Sequence, residues 1–284
     1  MSLKTNLNDI WQDPNKKTWV YIIFAALLTL IVVGYKAHVT WIPASAKYIA
    51  AEIPHEIYQS IGESTLESLD GEEFKPTTLD EQQQQQIQAQ FSDIISKLNL
   101  NPDNYQLHFR DWVKGLNAFA LMNGAIIVTD DLINTLNDPQ QINAVLLHEI
   151  GHINHNHLME NTIRVSIFYV TLSLIFGDIS VVSDLLIEAS TMGVNFSFSR
   201  ELELQADTYA AQSMLALYGT VEPAVKAFTA LELAAQQKQD NSGGLNQWLS
   251  THPPTDLRIE HIKKVAENHQ KQANGENLSP FQWH

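Results

Sequence analysis

The sequence has no cysteine and little positive charge. The lack of cysteine excludes disulfides, cysteine-ligated zinc, a cysteine nucleophile and a lipid-bearing cysteine anchor. Lysine and arginine number 17 against 32 acidic residues, which gives a formal net charge of −15. A field of this sign repels phosphate backbones, so we exclude nucleic acid as a partner. The 284 residues are enough for one large domain or two small ones.

Long apolar runs are also scarce, and the main one lies near the N-terminus. Residues 18–35 carry no charge and are bounded by Lys17 and Lys36. This is about the shortest run that crosses a hydrocarbon core of roughly 30 Å. We therefore predict a single transmembrane anchor at 18–35, preceded by an N-terminal tail at 1–17, and a partner in membrane lipid.

Two other interpretations of this run remain open. It could be a buried core helix, or a signal peptide cleaved after the small-x-small sequence at residues 44–46. Three lysines precede the run and two follow it, which favours an N-terminus inside the cell. In a bacterium, the protein would then be a single-pass inner-membrane protein with its main domain in the periplasm.

A small sheet is predicted in the middle of the chain. Segments 105–109, 117–121 and 125–129 are short and apolar or alternating, as strands are. The Asn-Gly pair at 123–124 is a strong hairpin signal. We expect a small antiparallel sheet, preceded by a membrane-proximal connector at 36–80.

The rest of the chain has helical patterning. An N-cap at Asp138 followed by proline opens one helix, and Gly219 ends another at 197–218. The apolar run 165–176 is too short to span a membrane, so we expect a hairpin turned at residues 177–178. The predicted fold class is α+β and mostly helical, with a polar C-terminal tail at 263–284.

The strongest chemical signal is the sequence HEIGH at residues 148–152. On a helix, His148 and His152 lie four residues apart on one face, so both imidazoles can reach one metal ion. Glu149 then lies beside the ion rather than on it, where its carboxylate can act as a general base. We predict a catalytic zinc site, one ion per chain.

A catalytic zinc ion usually has three protein ligands, so one more is needed. Glu203 and Asp207 are four residues apart on a predicted helix, so both carboxylates face one way. Glu203 can bind the metal, and Asp207 can accept the N–H of a ligand histidine. The next candidate for third ligand is His157, although its spacing turns it away from the face shared by His148 and His152.

The chain resembles the HtpX, BepA and CAAX-prenyl-protease group of gluzincin metalloendopeptidases, metallopeptidase family forty-eight. The resemblance covers roughly residues 80–262. It is carried by four motifs in this order: Asn117-Ala118-Phe119-Ala120 followed by Gly124; His148-Glu149-Ile150-Gly151-His152 with His157; Ser199-Arg200-x-x-Glu203-x-x-Ala206-Asp207; and His252-Pro253-Pro254 with Arg258-Ile259.

The resemblance implies a zincin-type metalloprotease domain, which we place at 81–262. It also implies that Glu203 is the third ligand and that His252 approaches the zinc, either to stabilise the oxyanion or as a latent fourth ligand. The segment Asn117–Ala120 corresponds to the edge strand that pairs with substrate.

The predicted function is hydrolysis of peptide bonds in unfolded or membrane-associated proteins, in quality control of the cell envelope. Zinc activates a water molecule, and Glu149 takes the proton and passes it to the leaving amine. The rival hypotheses are a chaperone-like membrane module with a structural metal site, and a metal sensor or buffer. The presence of Glu149 favours the protease, because a purely structural site has no use for a general base.

Overall fold

A computed structural model describes residues 14–136, 138–176, 198–242, 251–252 and 256–274. The chain divides into two units, Met1–Ile49 and Ala50–His284.

The N-terminal unit is helical throughout its described part. Helix α1 spans Pro14–Lys36, a π-helical turn spans Ala37–Trp41, and helix α2 begins at Ile42 and ends at Glu52. The large apolar side chains of α1 are exposed all round the helix. Within the described residues, Lys17–Glu52 is the one stretch long and apolar enough to cross a membrane, a test that a signal sequence also passes.

The second unit holds the sheet and the remaining helices. The helices are α3 (His55–Glu72), α4 (Glu81–Lys97), α5 (Asp130–Leu136), α6 (Pro139–Asn154), α7 (His157–Phe176), α8 (Arg200–Tyr218), α9 (Glu222–Ser242) and α10 (Asp256–Ala273). The strands are β1 (Phe74–Pro76), β2 (Gln106–Trp112), β3 (Ala118–Ala120) and β4 (Ala125–Thr129).

The strands in the described residues form one sheet in the order β1-β2-β4-β3. The predicted hairpin is present, because β3 pairs antiparallel with β4. However, β2 and β4 are parallel, so the sheet is mixed and not purely antiparallel as predicted. The chain passes from β2 to the far edge before it turns back, and β4 therefore inserts between β2 and β3. Local turn signals cannot reveal this insertion.

The predicted turn at residues 123–124 depends on its glycine. Gly124 has φ of +83°, and a Cβ atom there would lie 1.9 Å from the carbonyl oxygen of Asn104. Any other residue would be strained and would collide with the neighbouring backbone. The turn fixes the register of β3 on β4, and hence the position of the edge strand.

The predicted helix boundaries agree with the structure at two caps. Asp138 accepts a hydrogen bond from the amide of Gln140. Gly219 ends α8 in the left-handed conformation, with φ of +70°. The start of α8 lies later than the predicted residue 197, because Ser199 accepts a hydrogen bond from the amide of Leu202 and the helix begins at Arg200.

The segment predicted as a connector is largely part of the compact second unit, which begins at Ala50. Strand β1 pairs with β2 and completes the sheet. Phe74 packs against Trp112 and Phe119, with ring centroids 5.6 and 6.2 Å apart. These aromatic contacts hold the segment against the sheet. The local sequence pattern could not predict them, because they join residues that are far apart in the chain.

Helix α6 lies at the centre of the unit, and Ile142–His152 are all buried. It crosses α8 closely at Gly151, where a Cβ atom would lie 3.0 Å from the Cα of Ala206. This glycine–alanine crossing brings the HEIGH segment against the part of α8 that carries Glu203 and Asp207.

Two predicted features fall partly outside the described residues. Helix α7 includes the apolar run 165–176, but the turn expected at 177–178 is not among the described residues. At the other end, the polar tail predicted from residue 263 is helical as far as Ala273, with mostly exposed side chains.

Candidate active site

The two histidines of the HEIGH segment point to one place. The Nε2 atoms of His148 and His152 are 3.1 Å apart, and both residues are buried. Their rings form an edge-to-face pair with centroids 4.7 Å apart. The four-residue spacing on α6 is therefore sufficient to orient both imidazoles toward a shared point.

Glu203 on α8 reaches the same point. Its carboxylate oxygens lie 3.6 Å from His148 Nε2 and 3.4 Å from His152 Nε2. Burial alone would raise the pKa of Glu203, but Arg258 and the adjacent histidines outweigh it and hold the pKa well below its usual value. The carboxylate is therefore charged, as a metal ligand must be.

His252 completes the cluster. Its Nδ1 lies 3.1 Å from Glu203 Oε1 and 3.4 Å from His148 Nε2. The ligand atoms of His148, His152, Glu203 and His252 all lie within 4.8 Å of one another. In this arrangement His252 lies where a fourth ligand would lie.

The donor set fits a zinc ion. Tetrahedral zinc with bonds of about 2.0–2.1 Å requires its ligand atoms to be about 3.3–3.5 Å apart. The two Nε2 atoms are 3.1 Å apart, and each has a different Glu203 oxygen near it, Oε1 at 3.4 Å from His152 and Oε2 at 3.6 Å from His148. Two imidazole nitrogens and one carboxylate oxygen are also the ligand types of catalytic zinc sites.

Glu149 lies beside this cluster and not within it. Its Oε2 accepts a hydrogen bond from the amide of Ala120 on β3, at 3.0 Å. Its Oε1 is buried without a hydrogen-bond partner among the described residues and lies 3.6 Å from His252 Nε2. Burial raises the pKa of Glu149. One oxygen is thus held in place, and the other is available for a proton.

Asp207 has the position that its spacing predicts. Its Oδ1 lies 2.9 Å from Nδ1 of His148, the ring nitrogen opposite the shared point. The same carboxylate makes two hydrogen bonds of 2.7 Å with the guanidinium of Arg258 on α10. A third nitrogen of Arg258 lies 2.8 Å from Glu203 Oε2.

Sequence reasoning gave Arg258 no role, although it is part of the matching motif that contains His252. Its side chain is 6% exposed and also lies over the ring of Phe228, 5.0 Å from its centroid. Burial would lower the pKa of Arg258, but Asp207 and Glu203 raise it above the ordinary value. The residue is therefore a permanent buried cation that balances two carboxylates.

His157, the alternative third ligand, contacts His152 from the other side. Its Nδ1 lies 3.0 Å from His152 Nδ1, and its Nε2 lies 3.3 Å from Oε1 of Gln205. Phe198 stacks on the His152 ring, with centroids 4.1 Å apart. No sequence signal pointed to Phe198 or Gln205, because neither residue type is diagnostic and both act through tertiary contacts.

The predicted substrate strand is the edge of the sheet in the described residues, and it borders the cluster. Asn117 and Leu121 bond through their backbones to Thr129 and Ala125, so Ala118 and Ala120 direct their peptide groups away from β4. Asn117 Nδ2 is buried and has no hydrogen-bond partner among the described residues. All four residues Asn117–Ala120 are buried.

Comparison with known proteins agrees with this geometry. The model of peptidase family M48 matches residues 81–266, about two thirds of the chain. The chain belongs to peptidase family M48. The M48 family consists of zinc metalloproteases, which accords with the donor set of the cluster.

Several relatives carry protease names. The bovine mitochondrial metalloendopeptidase OMA1 is 24% identical over 282 residues, which cover 93% of this chain and 53% of that protein. An OMA1 protein of Arabidopsis thaliana is 31% identical over 49% of this chain and 27% of its own length. The metalloprotease LoiP of Escherichia coli is 29% identical over 59% of this chain and 64% of its own length. The chain thus spans between 27% and 64% of the length of these relatives.

Proposed function

We propose that the protein is a membrane-anchored zinc metalloendopeptidase, in which His148, His152 and Glu203 bind one zinc ion and Glu149 is the general base. The observation that carries the proposal is the convergence of two imidazole nitrogens and the Glu203 carboxylate within 4.8 Å, beside a buried Glu149 carboxylate with one oxygen unpaired among the described residues. Membership of the M48 family supports the same chemistry.

The protein's own residues divide the work of hydrolysis. His148, His152 and Glu203 would hold a zinc ion, which when bound would supply Lewis-acid polarisation of the scissile carbonyl and a lower pKa of water. Glu149, held at Oε2 by the Ala120 amide, accepts the proton of the attacking water at Oε1 and passes it to the leaving amine. His252 lies at the fourth-ligand position in this structure, and once water takes that position it would be near enough to donate to the developing oxyanion.

The edge strand supplies the binding surface for an extended substrate. Ala118 directs its peptide groups outward, whereas the outward amide of Ala120 already donates to Glu149. Asn117 Nδ2, which has no hydrogen-bond partner among the described residues, can donate to a backbone carbonyl of the substrate. Backbone pairing gives affinity with little sequence preference, which suits unfolded or membrane-associated protein substrates. The strand is buried in this structure, so substrate binding requires a more open arrangement.

Replacement of Glu149 by glutamine tests the catalytic assignment. The amide keeps the shape of the side chain but cannot accept the proton, so cleavage of casein should fall by about 10²–10⁴-fold. The zinc content should stay at one ion per chain, and a chelator should abolish cleavage by the native protein. Equal cleavage by a zinc-bound Glu149→Gln variant would refute the assignment. Tight binding of casein without cleavage by either protein would favour the chaperone-like module.

The third ligand is tested separately. The Glu203→Gln variant should bind zinc more weakly, because a neutral amide replaces the anionic ligand. A matched control is Glu201→Gln, since Glu201 is exposed on the same helix. Unchanged zinc affinity in Glu203→Gln would require another third ligand.

The exposed apolar surface of α1 supports anchoring at 18–35. The excess of lysines before this run leads us to propose that the catalytic domain at 81–262 lies outside the cytoplasm. For a bacterial cell we propose the inner membrane, a periplasmic domain and a role in envelope quality control. An N-terminal sequence that starts at Lys47 would reveal a cleaved signal peptide. Protection of the domain from added protease in intact spheroplasts would contradict the orientation.

A further inference from the structure

The two histidines of the proposed zinc site have chemically different partners. His148 directs Nδ1 at the carboxylate of Asp207, at 2.9 Å. His152 directs Nδ1 at the imidazole of His157, a side chain without a negative charge, at 3.0 Å. A carboxylate is the common partner of a ligand histidine, so the second arrangement calls for its own explanation.

We propose that His157 and Gln205 form a hydrogen-bond relay that fixes the proton of His152 on Nδ1 and so keeps its Nε2 free for the metal. The inference rests on the proposed function. It assigns positioning roles to two residues that do not touch the metal or the reacting atoms.

The direction of the relay follows from the geometry. His152 Nε2 faces His148 Nε2 at 3.1 Å, so Nε2 is the metal side of the ring. A neutral imidazole that binds a metal through Nε2 carries its proton on Nδ1. That proton is buried and needs an acceptor, and His157 Nδ1 is in position to accept it.

The second bond of the relay determines which ring nitrogen of His157 carries the proton. His157 can accept at Nδ1 only if its own proton is on Nε2. That N–H then points at Oε1 of Gln205, 3.3 Å away, and an amide oxygen can only accept. Reversal of the first bond would place a proton on His152 Nε2, where it would block the metal. Gln205, with its amide oxygen toward His157, therefore selects through His157 the His152 tautomer that leaves Nε2 free for the metal.

The local fold explains how a histidine five residues after His152 reaches it. Helix α6 ends at Asn154, and Asn156 adopts a left-handed conformation with φ of +55°. This turn starts α7 and returns His157 to the Nδ1 side of His152, where it is buried. Gln205 lies two residues after Glu203 on α8, so one helix supplies both a ligand and the end of the relay.

A neutral partner also suits the charge of the site. Glu149, Glu203 and Asp207 are buried together with one guanidinium, that of Arg258. A divalent ion together with the guanidinium would balance the charge of these three carboxylates. A fourth carboxylate behind His152 would leave a buried net negative charge. Uncompensated buried charge is strongly unfavourable. A histidine and an amide orient the ligand without adding charge.

The test measures metal affinity as well as activity, on the full-length protein in detergent. The variants are His157→Phe, which keeps a ring but no acceptor, His157→Gln, whose amide oxygen can accept, and Gln205→Met, which keeps the side-chain length. His155→Phe is the matched control: the exposed His155 stacks on His157 with centroids 5.2 Å apart, and phenylalanine keeps this ring contact while it loses the hydrogen bond to the carbonyl of Gly151. Zinc affinity is measured by competition with a colorimetric chelator, and ligand geometry by the visible spectrum of the cobalt-substituted protein.

We expect His157→Phe to lower zinc affinity by about 10–100-fold and to alter the cobalt spectrum, as for other partners of ligand histidines. His157→Gln should recover most of the loss, Gln205→Met should show a smaller loss, and His155→Phe should match the native protein. Native affinity in His157→Phe would overturn the relay, and so would a His157→Gln variant as weak as His157→Phe. If His157→Phe does not fold, native affinity in Gln205→Met overturns it instead.

Failure of the relay and failure of the proposed function give different results. A native protein that binds no zinc, or a Glu149→Gln variant that cleaves normally, would refute the protease. A native protein that binds zinc and cleaves casein, with unaltered affinity in the relay variants, would refute only the relay.

Discussion

Two arginine–aspartate pairs in this protein share one geometry and differ in their surroundings. Arg110 of β2 makes two hydrogen bonds with Asp70 of α3, at 2.6 and 2.9 Å. Arg258 of α10 makes two with Asp207 of α8, both at 2.7 Å. The side chains of the first pair are 23% and 38% exposed, whereas those of the second are 6% and 0% exposed.

The difference shows that contact geometry does not by itself set the energetic role of an ion pair. Water screens the outer pair and solvates either member when the other is removed, so its contribution to stability is small. The inner pair is cut off from water, and each member depends on the other to compensate its charge. Arg258 also forms an ion pair with Glu203, so the inner pair links the stability of the fold to the metal site.

The largest expected effect is that of replacing the arginine of the inner pair, and the same replacement in the outer pair is its control. Arg258→Met in the metal-free protein should lower the free energy of unfolding by about 3–5 kcal/mol, because it leaves Asp207 and Glu203 as buried charges without a cation. Arg110→Met, the matched control, should lower it by no more than about 1 kcal/mol. Denaturant unfolding of the full-length protein in detergent measures both values.

Zinc sharpens the same comparison. Because the ion supplies positive charge beside Glu203, saturating zinc should reduce the deficit of Arg258→Met and leave that of Arg110→Met unchanged. Equal deficits for the two variants in the metal-free protein would show that burial does not distinguish the pairs.

An intermediate effect is expected for Asp207→Asn. The amide keeps the shape of the side chain but weakens the hold on both His148 and Arg258, so zinc affinity should fall by about 10–100-fold. Chelator competition measures the change, and Asp70→Asn is the control with native affinity. An Asp207→Asn variant that binds zinc as tightly as Asp70→Asn would show that Asp207 does not support His148.

The smallest effect concerns the outer pair and its dependence on pH. The hydrogen bonds from Arg110 lower the pKa of Asp70 below its usual value. The pair therefore stabilises the fold fully above the ordinary aspartate pKa of about 3.9, and the stabilisation is lost as the pH falls through the lower pKa of the folded state. Asp70→Asn should destabilise the protein by about 0.2–1 kcal/mol at pH 7.

Unfolding measured from pH 7 downward should show the gap between Asp70→Asn and the native protein closing below pH of about 4. A gap that stays constant to acid pH would mean that the effect is not ionic.

The sequence predicted the local features of this protein well, because each depends on neighbouring residues. The hairpin turn at 123–124 needs a glycine, the helix start after Asp138 needs a side-chain acceptor, and the end of α8 at Gly219 needs a residue that adopts a left-handed conformation. The paired spacings of His148 with His152, and of Glu203 with Asp207, follow from the period of a helix. The ligand set remains a prediction, but the residues that compose it do converge in space.

The sequence could not predict features that depend on residues far apart in the chain. The parallel pairing of β2 with β4 and the inclusion of β1 in the sheet arise from strand order and aromatic packing. Arg258 reaches Asp207 across 51 residues, and Gln205 reaches His157 across 48. Neither residue type indicates its own role, because arginine and glutamine are common at exposed positions in any chain.

The sequence by itself determined the chemistry that is available: a histidine pair and a carboxylate for a metal, a glutamate for the proton, an apolar N-terminal run and no cysteine. The tertiary structure decided how that chemistry is held. The close crossing of α6 and α8 at Gly151 joins the two halves of the site, and burial turns Arg258 from a solvated charge into a structural cation. The physical reason is that helical period and capping act over a few residues, whereas burial and charge compensation depend on every element that packs around a group.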